Sequence, residues 1–155
     1  MKTSCAGLLF AAGLALLSPV SSAVDTDDDP AAAQLDPDYA AGKRALEAKD
    51  WAAAIKSLSS AALRDTRNPD IQNYLGYAHR NAGQMELAFK HYTQALKLNP
   101  RHRGAHEYLG EAYLMAGNLA KAEEHLAALA RICLIPCEER AQLEKKLAEH
   151  RLGKK

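Results

Sequence analysis

The chain has 155 residues, enough for one domain and short for two ordinary ones. Lys and Arg number 20 against 19 Asp and Glu, so the chain lacks the basic excess that nucleic-acid binding draws on, and DNA and RNA are set aside as partners. Apolar residues make up 48% and aromatic ones only 6%, a mixture rich in Ala and Leu that argues against a sheet core and favours packed helices.

The first segment reads as a signal peptide over residues 1–23. Lys2 gives a positive start, Cys5 to Leu17 form an apolar run, and Ser21-Ser22-Ala23 supplies the small residues at which cleavage after Ala23 is expected. A bilayer core of roughly 30 Å needs about 20 apolar residues, so the run is too short to anchor the chain and no stable membrane insertion is expected after cleavage. Cys5 precedes the end of the run, where a lipidated cysteine has to follow it. The mature chain is therefore expected to be periplasmic or secreted. Removing Lys2 and Cys5 leaves 19 basic and 19 acidic residues and two cysteines, Cys133 and Cys137. Residues 24–34, VDTDDDPAAAQ, carry no apolar periodicity and read as a disordered acidic linker. Its three adjacent aspartates read as solvated, since nothing nearby completes a coordination shell.

From residue 35 the chain repeats. Gly42, Gly76 and Gly110 stand 34 residues apart, and so do Ala54, Ala88 and Ala122. Leu58, Tyr92 and Leu126 keep the same period, as do Ala61, Ala95 and Leu129. A glycine inside a helix costs about 1 kcal/mol against alanine, so three in one phase imply that a neighbouring helix comes close to the backbone there. Asp36-Pro37, Asn68-Pro69 and Asn99-Pro100 each put a capping side chain before a proline, as at or near a helix start. Turns fall at Lys49-Asp50, Gly83-Gln84 and Gly117-Asn118. The predicted helices are 37–49 and 52–65, 70–82 and 85–98, then 103–116 and 119–132. A seventh, over 138–151, has Leu143 and Leu147 one turn apart among charged residues and is expected to cap the apolar end of the stack. The division is thus 35–68, 69–102 and 103–136, followed by a capping helix and basic tail over 137–155.

These residues resemble the tetratricopeptide repeat, strongest over 69–102 with Leu75-Gly76, Ala88, Tyr92, Ala95 and Pro100. Residues 103–136 carry Leu109-Gly110, Tyr113, Ala122 and Leu126; residues 35–68 keep Gly42, Ala54, Leu58 and Ala61. The ending, Cys, three residues, Cys and a charged helix, is similar to that of short exported proteobacterial members. The resemblance implies an all-α solenoid of three hairpins and a binding module, not an enzyme, whose concave face takes a protein or peptide ligand. On that face it places Tyr39, Lys43, Asn73, Tyr77, Arg80, Asn81, Glu107 and Glu111. Asn73 can bond a peptide backbone both ways, Tyr77 offers a flat face with a polar tip, and Arg80 can hold a carboxylate. Glu107 and Glu111 argue against the terminal-carboxylate clamp of some family members.

Pro136 bends the segment between Cys133 and Cys137, which brings the two sulfurs into reach of a disulfide that pins the cap. A redox-active dithiol or a metal-handling pair is the alternative function for these cysteines. His102 and His106 have the four-residue spacing of a metal pair, but Arg101, Arg103 and Gly104 make them read as surface histidines, and His79 as a packing residue. No metal site, cofactor or catalytic constellation is expected, because no nucleophile with its base and no phosphate-cradling loop is found.

Overall fold

The computed structural model describes residues 36–153. The predicted signal peptide, the acidic linker and the last two lysines lie outside the described residues. Seven helices follow one another there: α1 Pro37–Glu47, α2 Trp51–Arg64, α3 Pro69–Asn81, α4 Met85–Leu98, α5 Arg103–Met115, α6 Leu119–Ile132 and α7 Glu138–Gly153. Each of the first six begins within a residue of its expected start. Among the described residues none is long and apolar enough to cross a membrane.

The helix starts follow from local chemistry. Asp36 Oδ1 accepts from the amides of Asp38 and Tyr39 at 2.9 and 3.1 Å, and Asn68 Oδ1 from Asp70 and Ile71 at 3.0 and 3.3 Å. In both units the proline takes the first helical position, where no donor is lost. The third unit differs. Asn99 Oδ1 takes the amide of Arg101 at 2.9 Å, which makes a turn, and the cap passes to His102, whose Nδ1 accepts from Ala105 at 3.0 Å.

Each first helix ends in the same way. The residues at Lys49, Gly83 and Gly117 have φ of 58°, 77° and 76°, and the next amide reaches back five residues, as in Asp50 to Ala45 at 2.9 Å and Asn118 to Tyr113 at 2.8 Å. This left-handed end suits glycine and turns the chain into its second helix. Lys49 holds the same conformation at a cost that its two glycine counterparts avoid.

The six helices form three antiparallel pairs stacked so that α2 packs on α3 and α4 on α5, while α1, α3 and α5 share one side. Ala54, Leu58, Ala61, Ile71, Leu75 and Ala78 form the core between the first two units. Ala88, Tyr92, Leu109 and Ala112 continue it, and Leu114, Ala122, Leu129, Leu143 and Leu147 close it. The expected close approaches are present. A Cβ on Gly42 would lie 2.6 Å from Leu58 Cγ, and one on Gly76 2.5 Å from the ring of Tyr92. At Gly110 the neighbour is not its own second helix alone: Leu143 Cδ2 of α7 comes to 2.6 Å, while His125 Cβ stays at 3.4 Å. The cap helix therefore fills the third slot.

The Tyr92 ring is fully buried and has no room to swing aside. Overpacking of this kind costs about 1–3 kcal/mol, against about 1 kcal/mol gained in helix propensity. Gly76→Ala is expected to lower unfolding free energy by up to about 2 kcal/mol in urea titration, whereas a midpoint raised by the full propensity gain of about 1 kcal/mol would contradict the close-packing account.

Candidate functional site

The shared side of α1, α3 and α5 carries the residues singled out above, and the structure sorts them into three groups. Tyr39 lies 6.0 Å from Tyr74, with Lys43 Nζ 5.9 and 5.8 Å from the two ring centres. Tyr77 is half-buried, its ring 6.0 Å from Trp51 edge-on and 5.0 Å from Tyr108. Trp51, Tyr77 and Tyr108 thus form a continuous aromatic surface across three units.

Arg80 lies beneath it, 8% exposed, with its guanidinium 5.3 and 5.5 Å from the rings of Tyr77 and Tyr108. Its Nη1 donates to Glu111 Oε2 at 2.6 Å. Arg80, expected to hold a ligand carboxylate, meets one that the chain itself supplies, because the stacking of one unit on the next sets it beside Glu111. The pair supports the aromatic surface from below. Asn81 turns back on its own helix, its Nδ2 donating to Tyr77 O at 2.8 Å, and is exposed.

Asn73 and Glu107 face each other's part of the groove from α3 and α5. Asn73 is 4% exposed and its Oδ1 has no hydrogen-bond partner among the described residues. Glu107 is 7% exposed. Burial, then the charges of Glu111 and Glu139, push its carboxyl up to about 7. Both residues line a cavity of about 330 Å³ that α7 completes with Glu138, Glu139 and Gln142.

Several residues of this face escaped the sequence reading. Tyr74 and Tyr108 carried a usable signal, since they stand one repeat apart. The acidic start of α7 carried none, because its position on the face is set by how the cap docks.

Four histidines form pairs between the two helices of a unit, each with one buried and one half-buried member. In the second unit His91 Nδ1 donates to Gln72 Oε1 at 2.9 Å and its ring stacks on His79 at 5.1 Å. The third unit repeats this with His106 and His125, Nδ1 to Nδ1 at 3.0 Å, and Tyr113 stacked on His125. His106 is thus a buried residue and not the surface histidine expected. The carbonyl of Pro100 accepts from His106 Nε2 at 3.1 Å, so the proton of neutral His106 sits there and its Nδ1 accepts from His125. His102 caps α5 and meets Asp70 at 2.9 Å. Among the described residues no three His, Cys, Asp or Glu side chains are grouped to hold a metal ion.

Burial followed by the neighbouring His79 pushes His91 down to about 4, and burial followed by His106 does the same to His125. Histidines that titrate lower folded than unfolded stabilise fully above their free value of about 6.5 and lose that contribution as pH falls toward 4. Glu107, raised by folding, contributes in the opposite sense and is unaffected by a change at His125. Thermal melts are expected to show Tm falling between pH 7 and pH 5 less steeply in His125→Gln than in wild type. Equal slopes would contradict a buried neutral imidazole.

Cys133 and Cys137 follow α6, their sulfurs 2.03 Å apart at disulfide distance, with Cys133 buried against the cap.

Two tetratricopeptide-repeat family models match the chain, one over residues 39–93 and the other over 79–132. The chain belongs to the tetratricopeptide-repeat family, and its architecture is that family's all-α solenoid. Among solved structures it is similar to the type III secretion translocator chaperone SycD of Yersinia enterocolitica, with a TM-score of 0.67 and 22% identity over 76% of this chain and 83% of that one. PcrH in complex with the chaperone-binding region of PopD gives 0.66 and 20% over 76% and 91%. The second such domain of human RPAP3, bound to an HSP70 peptide, gives 0.65 and 18% over 74% and 92%. At these identities the likeness is one of fold. The curated proteins give no match.

Proposed function

We propose that this chain is an exported, non-catalytic adaptor that holds a peptide segment of a partner protein along the face of α1, α3 and α5. The observation that carries the reading is the aromatic surface of Trp51, Tyr77 and Tyr108, seated on the Arg80–Glu111 pair. Flat rings with polar tips give large contact area at low entropic cost, and a buried ion pair beneath them holds the rings in place before a ligand arrives. Solved relatives in fold carry peptides, among them PcrH with its PopD region and RPAP3 with its HSP70 peptide, which supports the same use here.

Export rests on the predicted signal peptide, and the cysteine pair fits an oxidising compartment. Burial of Cys133 shields its sulfur from an attacking thiolate, which favours a bond that holds the cap over a redox couple.

Panning a random peptide library on the mature chain tests the proposal. Selected peptides are expected to bind Tyr77→Ala at least tenfold more weakly and Cys133→Ser with little change, in fluorescence titration. Peptides indifferent to Tyr77→Ala would overturn it. Mass measurement of the protein recovered from the cell envelope is expected to give a chain beginning at Val24; an intact Met1 chain in the cytosol would contradict export.

A further inference from the structure

The cavity of about 330 Å³ between α3, α5 and the start of α7 sits at the end of the aromatic surface and has a consistent chemistry. Four carboxylates border it: Asp70, Glu107, Glu138 and Glu139. Asp70 is met by His102 at 2.9 Å, and Glu139 by Arg103 at 3.4 Å. Among the described residues Glu138 accepts, with its side chain, only from the neutral amide of Gln142, at 2.9 Å. Glu107 makes no salt bridge among the described residues, although it is one of the most buried charged groups of the face. Arg80, the nearest strong cation on α3, is already bound to Glu111. The wall therefore carries more negative charge than its own cations balance.

A second feature is independent of that charge. Asn73 lines the same cavity, is almost fully buried, and its amide oxygen meets no donor among the described residues. A buried polar atom without a partner costs free energy and in native structures calls for an explanation, a ligand being one. The rings of Tyr74 and Tyr108 form the remaining walls. Carboxylates and an unmet acceptor at the end of a slot walled by aromatic rings suit a long apolar stem tipped with a cation. At about 330 Å³ the space is at the small end of the range for ligand sites, about 300–1,000 Å³, and matches one side chain better than a folded surface.

We propose that this cavity is a specificity pocket for a lysine or arginine side chain of the bound segment, its cation held by Glu107, Glu138 and Asn73 and its stem lying along Tyr74 and Tyr108. The inference rests on the peptide-holding reading of the face and supplies the chemistry of the ligand. It also makes sense of Glu107: a buried carboxyl that lacks an internal cation is stabilised when the ligand brings one. The selectivity is opposite in sign to that of a groove built for a terminal carboxylate.

The test is an NMR titration of the 15N-labelled mature chain at pH 8, where Glu107 is ionised. The probes are butylguanidinium and butylammonium, the two side-chain heads on a short stem, with butylurea as the neutral counterpart. Both cations are expected to give saturable shifts at Asn73, Gly104 and Glu107, butylurea none, and Glu107→Gln to weaken cation binding about tenfold while keeping the dispersed spectrum of a folded chain. Equal response to butylurea, no saturation at a hundred millimolar cation, or affinity unchanged in both Glu107→Gln and Glu138→Gln would overturn the pocket. Peptides that bind through Tyr77 in a chain deaf to both cations overturn the pocket and leave the adaptor reading standing. Cation binding in a chain that selects no peptide overturns the adaptor reading instead.

Discussion

Three glycines, one on the first helix of each unit, leave slots that a large side chain must fill. Leu58 and Tyr92 fill the first two from within their own hairpins, and Leu143 fills the third from α7. A helix that lacks a Cβ at the crossing lets the facing side chain seat against its backbone, and the same seating recurs in each unit. The shared face of α1, α3 and α5 is a product of this nesting, because only a regular stack brings equivalent positions of successive units side by side. Borrowing Leu143 for the last slot has a further effect: the helix that seals the core also lays Glu138 and Glu139 against the groove.

Stacking decides the electrostatics as well. Position by position, Arg80 looks available to a ligand and Glu111 looks like a solvated carboxylate; once the units are in register, each answers the other at 2.6 Å. What the face keeps for a partner is its rings and its excess of acid. Within the second and third hairpins Gln72 meets His91 and His106 meets His125, so two units use imidazoles to satisfy the polar seam between their own helices. Burial favours the uncharged form of His91 and His125, which ties the stability of the stack to pH.

The period of 34 residues made the hairpins legible from Gly42, Gly76, Gly110 and their alanine partners, because a small residue in fixed phase has one physical use in a helix. Helix starts were legible to within a residue where a capping side chain precedes proline. At Asn99 the start, residue 103, was equally legible but the cap was not: the Asn99 side chain spends itself on a turn and His102 takes over as cap. Tyr39, Lys43 and Tyr77 lie on the face that the repeat phase assigned them. Asn73, Arg80 and Glu107 share that face yet are buried, since phase gives direction and only the neighbouring unit determines depth. Tyr74 and Tyr108 could have been found by extending the comparison one position. The acidic wall from α7 could not, for the cap belongs to no repeat and its place depends on two leucines finding the open end.

The cap is therefore where the account is most exposed. A 16-residue helix of mainly charged residues has little stability on its own in water, so its amides are protected only if Leu143 and Leu147 hold it in the stack. Amide hydrogen exchange on the mature chain reads this directly. The account predicts that the amides around Leu143 and Leu147 exchange as slowly as those of α6; exchange there at the rate of a free helix, with α1–α6 still protected, would contradict it.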